Sequence, residues 1–168
     1  MRTRGPGRRS GAGYSLIELL IVLAILGVIA GIAASTLSRG RSQTAAREAA
    51  ERIAADLSFA QADAIARHAA RVVTFDSAAE RYEVGDGVGV LMEPISHRPY
   101  QVDLAVLFPG ANVDLSSPDF GGAANLRFES SGAPLAGGEV RLYAGDEGWR
   151  VQVGDVTGRI TIVPAPLP

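Results

Sequence analysis

The sequence predicts an α+β protein, a long N-terminal helical spine packed on an antiparallel β-rich globular head, and three observations predict it. A nearly unbroken apolar run covers residues 16–34. An alanine-rich stretch with helical spacing follows it to about residue 66. Beyond residue 71 the apolar period drops from 3–4 to roughly 2, with turn residues every few positions.

The first element is a basic stretch, residues 1–13, with Arg2, Arg4, Arg8 and Arg9 and no acid. It reads as a short basic leader ahead of the apolar run. The apolar run comes next. Nineteen residues at about 1.5 Å each make roughly 28 Å of helix, the hydrocarbon thickness of a bilayer. Residues 14–37 are therefore expected to be a transmembrane and assembly helix, and Gly27 and Gly31 form a small-xxx-small pair suited to close helix approach. Glu18 interrupts the run. A carboxylate in hydrocarbon costs roughly 2.5 kcal/mol or more, so it calls for a cationic partner or a function. A conventional secretory signal has an apolar core of about 7–15 residues, shorter than this one. Arg8-Arg9 is followed by Ser10-Gly11-Ala12-Gly13 and reads as positive-inside flanking charge, not a twin-arginine signal.

Ser38-Arg39-Gly40-Arg41-Ser42 breaks the apolar pattern and suggests an interfacial hinge in one long helix. The helix then continues as an amphipathic half, residues 38–70. Ala46, Ala49, Ala50, Ile53, Leu57, Ala60 and Ala64 fall on one face and predict the surface that packs on the sheet. Arg47, Glu48, Glu51, Arg52, Asp56, Asp63 and Arg67 are expected on the other faces, with Glu48 and Arg52 paired at i,i+4. The head is residues 71–168. Candidate strands are 71–75, 81–84, 102–108, 125–128, 139–143, 149–153 and 159–163, and the short connections imply antiparallel pairing. Residues 85–100 and 109–124, rich in Gly, Pro and Asp, are expected to be irregular loops.

Composition excludes several functions. The chain has 168 residues and no cysteine, which removes disulfides, thiol catalysis and Cys-ligated metals. All sixteen cations are Arg, and without the leader twelve face 18 acids, a formal charge of −6. Such a chain has no overall pull toward nucleic acid. His68 and His97 lack metal-ligand spacing. Gly85-Asp86-Gly87-Val88-Gly89 precedes no helix and has no Walker lysine, so it reads as a turn. Asp86, Asp114, Asp119 and Asp146 offer oxygen ligands but no EF-hand spacing. The expectation is no enzyme activity, no metal and no cofactor.

The junction Gly13-Tyr14-Ser15-Leu16-Ile17-Glu18, with the apolar run behind it, resembles the type IV pilins and the pseudopilins of type II secretion. The head, with Phe128-Glu129-Ser130-Ser131-Gly132, residues 138–143 and Thr157-Gly158-Arg159-Ile160-Thr161, is similar to minor pseudopilins of the GspH/FimT type. The resemblance implies a pilin-like fold and cleavage after Gly13 by a prepilin peptidase, which methylates the new N-terminus at Tyr14. It implies a single-pass inner-membrane protein with a periplasmic head. It also implies assembly with other pseudopilins or pilins through the helix, with Glu18 meeting the N-terminal amine of an adjacent subunit. The main reading is a minor pseudopilin of a type II secretion system; the alternative is a minor pilin of a type IV pilus or competence system. Some pilus-associated members bind DNA through Gly-Arg-x-Arg. Here Gly158 and Arg159 match and Thr161 does not, so Arg159 is the one candidate DNA contact and nucleic acid is disfavoured as a partner.

Overall fold

The computed structural model describes residues 15–168, with the side chains of residues 32–43 outside the description. The leader, Gly13 and Tyr14 lie outside the described residues. By its internal contacts the chain divides into Met1–Leu37 and Ser38–Pro168.

Helix α1 runs from Leu16 to Arg67. The Ser15 carbonyl opens it by accepting from the Glu18 and Leu19 amides at 3.0 and 3.2 Å. The helix passes through residues 38–42 without a break in place of the expected hinge. It stops three residues short of the predicted end because His68 turns left-handed, at φ 51°. The His68 amide then reaches Ile65 O and the Ala69 amide reaches Ala64 O, a Schellman stop that satisfies two terminal carbonyls. His68 therefore ends a helix.

In the unit Ser38–Pro168, the expected stripe faces inward: Ala46, Ala49, Ala50, Ile53, Leu57, Ala60 and Ala64 are all fully buried. Alanine lets the helix backbone come close to the strands it covers. The strands are β1 (Arg71–Asp76), β2 (Arg81–Gly85), β3 (Gln101–Asp103), β4 (Asp114–Asp119), β5 (Asn125–Phe128), β6 (Gly138–Ala144), β7 (Glu147–Val153) and β8 (Ile160–Pro164). They form two antiparallel sheets, ordered β3-β2-β1-β5 and β4-β6-β7-β8. One apolar cluster joins the helix stripe to Val73, Tyr82, Leu126 and Phe128 of the first sheet and to Leu115, Val140, Leu142 and Val151 of the second.

Three side-chain ties hold this unit together. Gln61 Nε2 donates to Gly132 O at 2.7 Å and to Thr157 O at 3.1 Å, fixing two loops to α1. Glu80, left-handed at φ 50°, accepts the Leu104 amide on its backbone oxygen and the Leu115 amide on its carboxylate, linking the β1–β2 turn to β4. Asp63 takes Arg67 at 2.8 Å and the buried Arg71 at 2.6 Å. Burial opposes the charge on Asp63, but the two guanidiniums outweigh it and hold the carboxyl below its usual range.

Several expectations are corrected. The predicted strand at 102–108 is β3 followed by a one-turn helix α2 (Leu104–Leu107), because the Asp103 carboxylate caps it by accepting the Val106 amide at 3.1 Å. Residues 109–124 contain β4, an outer strand that bulges between Ser116 and Asp119 around left-handed Ser117 and Pro118. Residues 85–100, by contrast, are irregular as expected, with isolated bridges of Gly85 to Val90 and Met92 to Pro99. Asp86 Oδ1 accepts the Val88 and Gly89 amides at 2.9 Å each, so this segment is a turn closed on its own carboxylate. Glu48 does not pair with Arg52; the pairs are Arg47–Glu51 at 2.9 Å and Arg52–Asp56 at 3.0 Å.

Every residue of the buried cluster lies at or after Ala45. A fragment Ser38–Pro168 is therefore expected to be soluble and to unfold in urea in one cooperative transition followed by circular dichroism. Aggregation, or a gradual non-cooperative loss of signal, would show that the head needs residues 1–37.

Candidate assembly helix and head surface

Residues 15–31 are all exposed, including Leu16 at 87% and Ile17 at 67%. Contiguous exposed apolar surface of this extent marks a surface meant to be covered. Among the described residues no helix is long and apolar enough to cross a membrane. The segment read as transmembrane, 14–37, includes Tyr14 and the side chains of residues 32–37, which lie outside the description. Glu18 sits in the first turn of α1. There the unpaired amides of a helix N-terminus favour a carboxylate.

The head contains a buried polar cluster that the sequence reading placed on a solvated face. Asp56 is 4% exposed. Its carboxylate accepts Tyr82 Oη at 2.5 Å, Tyr100 Oη at 3.0 Å and Arg52 Nε at 3.0 Å. Burial first, then the neighbouring Asp56 charge, pushes both tyrosine hydroxyls above the usual phenol range. Burial works against the charge on Arg52, but Asp56 outweighs it and raises the guanidinium further. Phe59 stacks on Tyr100 with ring centroids 5.3 Å apart. A signal for this cluster was present: Asp56 lies three residues after Ile53 and four before Ala60, on the buried stripe itself. Arg71, also 4% exposed, was likewise not foreseen as buried. Both groups fasten α1 to the strands and are structural.

Arg159 lies in the turn between β7 and β8. Gly158, at φ 65°, makes the reversal; its amide bonds Gly154 O at 3.0 Å, and the Gly154 amide bonds Arg159 O at 3.0 Å. The Arg159 guanidinium has no ion pair among the described residues, and it lines an open groove of about 830 Å³ on the second sheet. Asp119, Glu139, Asp155 and Arg141 line the same groove. Arg159 is thus surrounded by more acid than base, and the second basic position of the DNA motif, Thr161, is a hydroxyl on the same wall. No group of three or more His, Asp or Glu among the described residues is placed to hold a metal ion. His97 is left-handed in the loop before β3, its amide bonded to Glu93 O at 3.0 Å.

Comparison with known proteins agrees with this architecture. Residues 8–34 match the prokaryotic N-terminal methylation motif. Type II secretion system protein H of Xanthomonas campestris pv. campestris is 32% identical over 161 residues, covering 96% of this chain and 88% of that protein. Competence protein ComGD of Bacillus subtilis is 28% identical over 130 residues, 77% of this chain and 78% of that protein. Among solved structures, the minor pseudopilin EpsH from the type 2 secretion system of Vibrio cholerae superposes with a TM-score of 0.52 at 16% identity, over 71% of this chain and 96% of that one. The type IV minor pilin FimU of Pseudomonas aeruginosa gives 0.52 at 20% identity, over 71% and 88%. At these identities the two structures show a shared pilin-like α+β fold. Residues 49–157, most of the head, match the family Type II transport protein GspH, and the chain belongs to that family.

Proposed function

We propose that this chain is a minor pseudopilin of a type II secretion system, a structural subunit of the short filament that serves protein export. The observation that carries the reading is the uncovered apolar face of residues 16–31 with one carboxylate in its first turn, joined to a head of the GspH family. Before assembly a bilayer covers that face; in the filament the helices of neighbouring subunits do. The subunit is held in the inner membrane by residues 14–37 and carries its head, residues 71–168, in the periplasm on the amphipathic half of the helix, residues 38–70. A prepilin peptidase removes residues 1–13 and methylates Tyr14. The role is mechanical: the buried polar groups of the head are engaged in holding α1 to the strands, and we assign none of them to catalysis. A role in DNA uptake is disfavoured by the carboxylates around Arg159 and by Thr161.

The test is processing and secretion together. Produced with its peptidase, the protein should have an N-terminus at N-methylated Tyr14 by mass spectrometry, and Gly13→Ala should slow cleavage. Deletion of the gene should leave exported enzymes in the periplasm. An intact leader or a start near Ala34 would overturn the reading, as would normal secretion combined with lost pilus-dependent motility or DNA uptake.

A further inference from the structure

The groove on the outer face of the second sheet has an identifiable cause. Buried Val151 and Val153 alternate along β7 with outward Gln152 and with Gly154, the residue just after the strand. The nearby Gly137 amide donates to Asp155 Oδ1 at 2.9 Å, and with no side chain at Gly137 the Asp155 backbone and the Val153 carbonyl pack against it. Gly154 has no side chain and nothing closer than 3.8 Å in its place, so the sheet face is bare backbone at that position, rimmed by side chains of neighbouring rows. The rim is almost wholly polar; Val153 is the one large apolar residue in the lining, and it is itself buried.

The chemistry of that rim selects a ligand class. Three carboxylates, Asp119, Glu139 and Asp155, stand against two guanidiniums, Arg141 and Arg159, a balance that repels polyanions. The carboxylates are partly engaged, Glu139 by Arg141 at 2.8 Å and Gln152 at 3.1 Å, Asp119 by the Gly122 amide and Asp155 by the Gly137 amide. The hydrogen bond from Arg141 keeps the Glu139 carboxyl below its usual range, so it stays ionised and an acceptor. A peptide would need an apolar anchor pocket, which this floor lacks, or a long flat strand edge, and the edge strand β4 in the lining is bulged between Ser116 and Asp119. Many closely spaced acceptors beside guanidinium, amide and hydroxyl donors, with a small negative excess, suit a neutral chain of hydroxyls. At about 830 Å³ the groove falls within the roughly 300–1,000 Å³ of small-ligand sites.

We propose that this groove binds a neutral oligosaccharide laid flat across the open backbone at Gly154. Arg159 donates from its unpaired guanidinium, the Thr161 hydroxyl and the carbonyl oxygen of Gln152 bond sugar hydroxyls, and Asp155 accepts on the carboxylate oxygen that Gly137 leaves free. The groove lies wholly within Ser38–Pro168, so its occupancy is independent of whether the N-terminal helix assembles.

The test is calorimetric titration of the full chain in lauryldimethylamine oxide, a detergent without a sugar headgroup. The probes are chitotetraose, cellotetraose, maltotetraose and, as a rival class, a mixed-charge decapeptide. Two variants decide specificity. Gly154→Leu fills the floor, and a Cβ there meets nothing closer than 3.8 Å, so the backbone accepts it. Arg159→Ala removes an exposed donor without touching the core. Saturable binding of at least one tetrasaccharide, weakened about tenfold or more in both variants at an unchanged melting temperature, is the expected result. Absence of saturable binding to all three sugars overturns the proposal, as does sugar binding that survives both variants, or binding of the decapeptide alone.

Discussion

Replacing Asp56 by Ala is expected to lower the stability of the Ser38–Pro168 fragment by about 2–6 kcal/mol, at about 1–3 kcal/mol for each of two buried hydroxyls left without an acceptor. The reason is what remains. Two buried tyrosine hydroxyls lose their shared acceptor, while the Arg52 guanidinium, partly exposed, turns to solvent. Asp56→Asn keeps one carbonyl oxygen and should cost less than Ala. Tyr82→Phe removes a single donor and should cost about 1–2 kcal/mol. Urea unfolding of the four proteins, with the Asp56/Tyr82 double variant closing the cycle, gives the coupling directly. A cost for Asp56→Ala below about 1 kcal/mol would mean that the cluster does not hold the helix to the sheet.

Glu18→Ala should leave insertion, cleavage and head folding intact and reduce incorporation into filaments by about an order of magnitude or more, since each 1.4 kcal/mol of lost attraction is tenfold in an equilibrium. A carboxylate among apolar helices needs compensation, and in the assembly proposed above the N-terminal amine at Tyr14 of a neighbouring subunit supplies it. Coulomb attraction between them is several-fold stronger there than in water. Glu18→Asp should give a partial loss because it shortens the reach, and Glu18→Gln should resemble Ala because the charge is gone. Cross-linking between pseudopilin helices in cells, read beside a secretion assay, measures this. Wild-type assembly by Glu18→Ala would remove the inter-subunit charge pair from the mechanism and leave only the helix-start role of Glu18.

Helix α1 and most strands were legible because each reports a period. The stripe from Ala46 to Ala64 repeats every three to four residues, and each of its members is buried. Strands β1, β2 and β5 to β8 lie within a residue or two of their predicted bounds, where alternation is clean. The failures were places where one residue overrides a pattern. In Val102-Asp103-Leu104-Ala105-Val106-Leu107-Phe108 the apolar run suits strand and helix equally, and the Asp103 cap decides. Strand β4 holds Asp, Ser and Pro, residues that read as loop, and it is a strand because β6 offers it a partner. Asp56 was placed by polarity and not by position on the helix. The groove was illegible for a different reason. Glu139 and Gln152 are thirteen positions apart and become neighbours in one lining only through the β6–β7 pairing, which no local pattern announces.

The prolines at the rims of the second sheet bear on life in a crowded membrane. Its two outermost strands are β4, broken by Pro118, and β8, closed by Pro164. The first sheet ends in strands of only three and four residues, β3 and β5. Neither sheet therefore offers a neighbour a long flat row of free amides and carbonyls. If subunits are held side by side in a membrane as proposed above, stray strand pairing between their heads is the hazard such rims guard against. With blunt rims on both sheets, heads can be stored at high density and joined only when the helices draw them together.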